Sequence, residues 1–251
     1  MKGWGLASAF RTLTILPFPG KECESPATAM YWFVPVGMFL GGISYAIAWF
    51  SYLWNLHLLG GALVVLMMVA MTRAFHLDGL ADMADGFGGG WTRERILEIM
   101  KDSHMGAFGV IALVVVLLVK FAALATLIAH GMFVPILFFP IFSRMFVVVQ
   151  ACANPYARKE GGTASRLVAE ARMTHALVAL VWIVIPFALW GLDHMWYLGA
   201  MLAIGALGTL SIAVKGRRRI GGVTGDLLGA TVEVAETCML VAAAVLLGSS
   251  L

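Results

Sequence analysis

Residues 57–86 read HLLGGALVVLMMVAMTRAFHLDGLADMADG, an apolar run followed at once by three aspartates. The apolar run is long enough to be a membrane span. Asp78, Asp82 and Asp85 follow at spacings of four and three residues, which places them on one face of a helix. Three carboxylates on one face repel one another unless a cation lies between them, and Mg²⁺ prefers carboxylate oxygens. The stretch therefore predicts a membrane protein with a metal site beside one span.

The composition of the whole chain also indicates a membrane protein. Its 251 residues are 61% hydrophobic and 12% charged, whereas soluble domains average roughly 45–50% apolar and about 25% charged residues. We expect an all-α fold, a polytopic membrane helical bundle of about seven transmembrane helices in a single integral-membrane domain over residues 1–251. The expected spans are residues 29–53, 57–75, 109–129, 131–151, 175–192, 195–214 and 227–250.

Lysine and arginine residues set the expected orientation. They concentrate in four segments, each separated from the next by two apolar spans, and the intervening turns carry none. Since cytoplasmic loops are enriched in these residues, the N-terminus and all four basic segments should face the cytoplasm. The net charge of +3 follows from this bias and does not indicate a nucleic-acid partner.

Two local patterns predict how particular segments pack. Residues 1–28 are expected to form an N-terminal interfacial segment, with an amphipathic helix over 4–16 that turns Trp4, Phe10 and Leu13 towards lipid. Gly37 and Gly41 form a GxxxG pattern, which predicts a close approach between two helices.

Acidic residues are scarce, and nine of the fourteen lie in two groups. One group lies in residues 76–108, expected to be an acidic cytoplasmic loop, and the other lies in residues 221–236, at the start of the last span. Asp226, Glu233 and Glu236 can share one helix face. Because both groups should lie on the cytoplasmic side, they can meet as two walls of one metal-binding cleft. Two independent solvated faces are the alternative.

Glycines and basic residues near these acids suggest phosphate binding. Gly222 and Gly225 precede the second acidic group, and glycine leaves backbone N–H groups accessible to phosphate oxygens. Carboxylates, a divalent cation and nearby arginines are the components of a phosphoryl-transfer site. Simple chain turning explains any one glycine equally well. The candidate substrate-binding cations outside the spans are Arg93, Lys101 and Arg158.

Three further residues have both functional and structural interpretations. Lys120 lies near the middle of its span, so it should face inward, towards either the acids of 226–236 or a substrate phosphate. Arg144 also lies within an apolar span, as a second candidate for substrate binding. His76 is a candidate general base or could hold an aspartate, and a structural histidine is the alternative.

The order of these motifs resembles the cobalamin (vitamin B12) synthase family, the adenosylcobinamide-GDP ribazoletransferases. Residues 76–87 (HLDGLADMADGF) and 98–109 (EIMKDSHMGAFG) are similar to its central motifs. Residues 221–230 (GGVTGDLLGA), together with Glu233 and Glu236, are similar to its last motif. One departure is His104, where relatives usually carry arginine.

The resemblance implies the final step of adenosylcobalamin nucleotide-loop assembly. In that reaction α-ribazole, or its 5′-phosphate, attacks adenosylcobinamide-GDP, GMP leaves, and adenosylcobalamin or its 5′-phosphate forms with Mg²⁺ present. It further implies a bacterial cytoplasmic (inner) membrane, with the active site facing the cytoplasm. The expected partners are these small molecules and the lipid bilayer. A homo-oligomer and contacts with other corrinoid-pathway enzymes remain open.

On this hypothesis the site residues have three roles. The metal ligands are Asp78, Asp82, Asp85, Asp226 and Glu233, and the candidate catalytic residues are Asp82, Asp85, Glu236 and His76. The proton of the ribazole 5′-OH passes to Glu236, Asp102 or His76, and Asp102 is also a candidate for substrate binding.

Two other functions fit parts of the sequence. Asp82-Met-Ala-Asp85-Gly86 matches the opening DxxDG of CDP-alcohol phosphotransferases, although the following Ala-Arg and the second half of that motif are missing. A transporter would place charges near the membrane midplane, as Lys120 does, but the acids of 78–102 do not fit that arrangement.

Overall fold

The computed structural model describes residues 4–191 and 195–248, and within these ranges the chain is helical, with no named strand. Two short helical segments in these ranges are not α-helical: a 3₁₀ helix at Pro26–Trp32 and a π-helical turn at Phe187–Gly191. The α-helices in chain order are α1 (Trp4–Leu13), α2 (Phe33–Leu53), α3 (His57–Met71), α4 (Phe75–Gly89), α5 (Arg93–Ile99), α6 (Ala107–Ala129), α7 (Phe133–Ala153), α8 (Ser165–Ala169), α9 (Met173–Pro186), α10 (Met195–Ile220) and α11 (Gly225–Gly248).

Five helical segments in the described ranges are long and apolar enough to cross a membrane: Pro26–Leu53, Ala107–Ala129, Phe133–Ala153, Met195–Ile220 and Gly225–Leu246. A sixth is present if α3 and α4 are counted as one broken span. The expected all-α multi-pass bundle is therefore confirmed, but the count of seven is not. The expected span 175–192 corresponds to a shorter apolar helix, Met173–Leu189. Residue 192 and residues 249–250 of the expected spans lie outside the described ranges.

The chain turns sharply between α3 and α4, which are bent by 88° relative to each other. Arg73 and Ala74 at this turn have φ angles of 54° and 53°, in the left-handed region that non-glycine residues rarely adopt. Helix α3 thus ends at Met71, four residues before the end of the expected span. The bend leaves α4 free to run across the bundle and contact α11.

The acidic segment 76–108, expected to be a cytoplasmic loop between two spans, is largely helical. It contains α4, α5 and the beginning of α6, and the intervening turns are short. Apolar residues at helical spacing explain α4, because Leu77, Leu80, Ala81 and Met83 are buried on its inner side. The helical placement of Asp78, Asp82 and Asp85 on one element is confirmed.

Helix α7 lies at the centre of the bundle and is the most completely buried of the five apolar segments. Helix α2 packs against it through Gly37 and Gly41. A Cβ at position 37 would lie 2.5 Å from the Pro140 carbonyl oxygen, and one at position 41 would overlap the Leu137 carbonyl oxygen. The close approach expected from the GxxxG pattern is therefore confirmed.

The N-terminal helix α1 differs from the expected lipid-facing segment. Phe10 and Leu13 are buried within the protein, and the Phe10 ring stacks on Phe18 with 4.8 Å between ring centroids. Only Trp4 of the three predicted lipid-facing residues is exposed. The apolar face of α1 packs against the rest of the protein. It is therefore buried in the bundle and not in the membrane–water interface.

Candidate active site

The two acidic groups meet where α4 crosses the first turns of α11. A Cβ at Gly79 would lie 2.7 Å from the Asp226 carbonyl oxygen, and one at Gly229 would lie 3.3 Å from the His76 Cα atom. A side chain at Gly79 would clash with the α11 backbone, and one at Gly229 would be a tight contact. It brings Asp226 close enough to Asp78 and Asp82 for their charges to interact. The expected meeting of the two acidic groups is therefore found at the start of α11.

Asp78 and Asp82 differ from the other acids of the site in having no direct bond to a protein group in the described residues, although the charge of Arg158 acts attractively on Asp82. Among the residues that the structure describes, neither carboxylate has a hydrogen bond or ion pair, whereas the charges of Asp78, Asp85 and Asp226 all act repulsively on Asp82. Asp226 accepts a hydrogen bond at 2.9 Å from Arg158 and one at 3.2 Å from Thr224. Three neighbouring carboxylates thus share one guanidinium, which leaves the cluster net negative.

Helix α11 begins at a cap that positions Asp226. The Thr224 hydroxyl accepts a hydrogen bond from the Leu227 backbone N–H at 3.3 Å. Thr224 is a further site residue that was not among the candidates, although a threonine just before Gly225-Asp226 is a recognisable N-cap signal.

The connection before α11 is tied to residues 155–157 by backbone bonds. The Val223 N–H donates to the Pro155 carbonyl oxygen at 2.9 Å, and the Ala157 N–H donates to the Val223 carbonyl oxygen at 2.8 Å. A Cβ at Gly222 would overlap the Pro155 carbonyl oxygen, so only glycine fits there. Gly222 thus has a packing role. Separately, burial raises the pKa of the hydroxyl of Tyr156, which follows Pro155 in the chain.

Arg93 and Arg158, both expected to bind substrate, also hold backbone carbonyls around this connection. Arg93 donates to the carbonyl oxygens of Ile220, at 3.0 Å, and Ala157, at 2.6 Å. Arg158 adds a bond to the Met100 carbonyl oxygen at 3.3 Å. Both guanidiniums therefore fix the loop next to Asp226, and substrate contact by either residue is a prediction.

Asp85 faces away from this cluster, towards the first turn of α6. Its Oδ2 accepts the Gly106 backbone N–H and its Oδ1 accepts the Gly109 N–H, both at 2.8 Å. A Cβ at either glycine would overlap the carboxylate. Asp85 therefore satisfies N–H groups at a helix N-terminus. This structural role is an alternative to the expected roles of Asp85 as metal ligand and catalytic residue, which stay predictions.

Glu233 and Glu236 lie deeper in the bundle, in a buried ionic network. Lys120 donates to Glu233 at 2.6 Å and to Glu236 at 2.7 Å, and Arg144 forms an ion pair with Glu236. Of the two partners expected for Lys120, the acids of 226–236 are the ones found. Ser143 also donates to Glu236, at 2.9 Å, and was not among the candidates. The network is formally neutral, with two cations and two carboxylates, although the Nε and Nη2 atoms of Arg144 have no hydrogen-bond partner in the described residues. Substrate binding by Arg144 stays a prediction.

His76 lies between two cavities, with 3% of its surface exposed. Neither ring nitrogen has a hydrogen-bond partner in the described residues. One cavity, of about 20 Å³, reaches the ionic network and the other, of about 260 Å³, reaches Gly225. A buried histidine with two unsatisfied nitrogens is rare in a structural role.

The remaining two candidates are far more exposed. Lys101 pairs with Glu160 at 3.5 Å, and Asp102 bonds the His104 side chain at 2.7 Å. The His104 backbone N–H also donates to Asp102 and lowers the pKa of its carboxyl group. These local partners make Asp102 a turn-stabilising residue in this structure.

A metal ion would have only part of its ligand set in the protein as it stands. In the described part of the chain, no three His, Cys, Asp or Glu side chains come together closely enough to hold a metal ion. Mg²⁺, however, usually takes one or two carboxylates together with waters and substrate phosphates. The unpaired carboxylates of Asp78 and Asp82, with Asp226 beside them, have the donor chemistry for such a partial site.

Comparisons with known proteins identify the family. Residues 5–244 match the model of the cobalamin-5-phosphate synthase family. The chain is 42% identical to the adenosylcobinamide-GDP ribazoletransferase of Chlorobium chlorochromatii, over 98% of each chain. It is 44% identical to that of Chlorobium phaeovibrioides, over 96% of this chain and 97% of the relative. No solved structure matches.

The match covers the α4 motif, the buried network and the α11 motif together, and it agrees with the resemblance carried by residues 76–109 and 221–236. This chain therefore belongs to the cobalamin-5-phosphate synthase family.

Proposed function

We propose that this protein is an adenosylcobinamide-GDP ribazoletransferase of a bacterial cytoplasmic membrane, acting at the meeting point of α4 and α11. The observation that carries the proposal is the group of three carboxylates, Asp78, Asp82 and Asp226, in which Arg158 pairs with Asp226 and is the one cation bonded to the group among the described residues. Such a group attracts a divalent cation and, through it, a pyrophosphate. The relatives' names supply the substrates.

The bond changes follow from these substrates. A ribose hydroxyl of α-ribazole forms a new P–O bond to the phosphorus next to cobinamide. The bond between this attacked phosphorus and the bridging oxygen breaks, and GMP leaves with the bridging oxygen. The family description names a 5-phosphate product. If the ribazole 5′-oxygen already carries that phosphate, the nucleophile is a different ribose hydroxyl, so the 5′-OH considered above is unsuitable.

Mg²⁺, when bound, neutralises charge on the pyrophosphate and on the leaving group. Asp78, Asp82 and Asp226 are the residues that would hold it. Glu233 is a weaker candidate, since Lys120 pairs with it at 2.6 Å. Asp85 is also weaker, because its two oxygens already accept backbone N–H groups.

The protein's own residues orient the reactants and receive a proton. Arg158 lies beside Asp226 and can turn its guanidinium to non-bridging phosphate oxygens. Asp82 has no protein partner in the described residues and is our candidate to accept the proton of the attacking hydroxyl. Glu236 is unsuitable as this base because Lys120 and Arg144 both pair with it in the bundle interior.

The proposal can be tested by measuring GMP release from adenosylcobinamide-GDP and α-ribazole with the purified chain in detergent. Activity that requires both substrates and Mg²⁺ supports the assignment. Transfer from a CDP-alcohol instead would favour the alternative suggested by Asp82-Met-Ala-Asp85-Gly86. Substrate flux into proteoliposomes without GMP release would favour a transporter.

A further inference from the structure

The larger cavity beside His76 has the shape and chemistry of a small aromatic site. It has a volume of about 260 Å³ and lies among α1, α2, α4, α7, α8 and α11. This volume is slightly below the roughly 300–1,000 Å³ of most ligand pockets, so the cavity suits one ring system and excludes a corrinoid. Its apolar wall includes Leu13, Phe33, Phe75, Val147 and Leu228.

His76 gives this apolar cavity its one buried and unsatisfied polar group. The ring is almost fully buried, and both nitrogens lack a partner in the described residues. A neutral imidazole offers one donor and one acceptor, and leaving either unsatisfied in an apolar site costs free energy. Both nitrogens are covered by neighbouring atoms, so the His76 ring has to turn towards the cavity before its donor can meet a ring nitrogen of a ligand.

The cavity also lies beside the proposed reaction site. Gly225 forms part of its wall and directly precedes Asp226. His76 lies two residues before Asp78 on α4. A nucleoside whose base fills the cavity would therefore have its sugar next to the carboxylate group.

We propose that this cavity binds the benzimidazole base of α-ribazole and that His76 donates a hydrogen bond to the free ring nitrogen of that base. The inference rests on the proposed function and extends it by naming the subsite for the nucleoside. The base is a fused aromatic ring system with one unsubstituted acceptor nitrogen, which matches an apolar cavity that contains one unsatisfied donor. His76 is then a specificity-determining residue for the nucleoside.

Calorimetric titration of the detergent-solubilised full chain tests this assignment. The probes are α-ribazole and its indole analogue, in which a CH group replaces the acceptor nitrogen. The wild type should bind α-ribazole about tenfold more tightly than the analogue, the effect of one buried hydrogen bond. His76→Phe should bind both equally, at about the analogue's affinity, and His130→Phe, at an exposed histidine, should behave as wild type.

A second variant tests the cavity without changing His76. Ala164 forms part of the wall, and Ala164→Leu should weaken the binding of both probes by filling the space. Retained preference for α-ribazole in His76→Phe, or unchanged binding in Ala164→Leu, would overturn the inference. If an acyl chain fills the cavity instead, the binding of both probes should be unchanged in Ala164→Leu. If the wild type binds α-ribazole through His76 but releases no GMP, the proposed function fails and the subsite stands.

Discussion

Lys120 on α6 and Glu233 on α11 form an ion pair at 2.6 Å in the interior of the bundle, and both side chains are 8% exposed. Lys120 also bonds Glu236, which pairs with Arg144 on α7. The network therefore joins three helices. An unpaired charge inside the bundle would lower stability. We therefore expect that one of these residues can be replaced with little loss only if a residue of opposite charge is replaced with it.

Lys120→Met should destabilise the protein by about 3–5 kcal/mol, because it leaves a buried carboxylate without its partner. The double variant Lys120→Met/Glu233→Gln should recover much of that loss, since it retains the Arg144–Glu236 pair. Thermal unfolding in detergent measures both. If the single and double variants are equally unstable, the balance of charges is not what Lys120 provides.

Neighbouring glycines on α2 offer a matched pair of variants. Gly41→Ala places a methyl group against the Leu137 carbonyl and should cost about 1–3 kcal/mol of stability. At Gly42 a Cβ meets no atom within 4 Å, so Gly42→Ala should be tolerated. Thermal unfolding of the two variants compares them directly, and equal losses would contradict the close contact between α2 and α7.

Asp85 and Asp82 are three residues apart and should respond differently to substitution. Asp85→Ala leaves the N–H groups of Gly106 and Gly109 without their acceptor, at a cost of about 1–3 kcal/mol for the buried Gly109 group and less for the partly buried Gly106 group. Asp82→Asn removes a charge that repels its neighbours and should not lower stability. Unfolding temperatures in detergent test this contrast, which fails if Asp82→Asn is the less stable variant.

The stability of the turn at Asp102 and His104 should fall at acid pH. The His104 backbone N–H lowers the pKa of Asp102, so the contribution of the ionised carboxylate is present above its usual pKa. It is lost as pH falls through the lowered value. Hydrogen exchange of the His104 amide should therefore be protected near neutral pH and faster, relative to the intrinsic rate, in acid. Asp102→Asn should remove this pH dependence.

Much of this architecture could be predicted from local patterns. The spacing of Asp78, Asp82 and Asp85 indicated a helix, and glycine spacing indicated the α2–α7 contact, because both depend on neighbouring residues alone. The inward direction of Lys120 followed from the cost of a charge in an apolar span.

The parts that could not be predicted depend on tertiary contacts. The 88° bend at Arg73 and Ala74 has no strong sequence signal, and it converts an expected loop into a helix that crosses α11. The role of Asp85 was equally hidden, since the sequence around an aspartate that caps a distant helix looks the same as the sequence around a metal ligand. The burial of Phe10 and Leu13 depends on which surface α1 packs against, which amphipathicity alone does not specify.

The central claim is that the carboxylate group of Asp78, Asp82 and Asp226 performs the chemistry, and Asp82→Asn tests it most directly. GMP release should fall by at least about a hundredfold, with membrane insertion and unfolding temperature retained. Glu24→Gln, at an exposed glutamate outside both acidic groups, is the control and should keep wild-type activity. Near-wild-type GMP release by Asp82→Asn would contradict the claim.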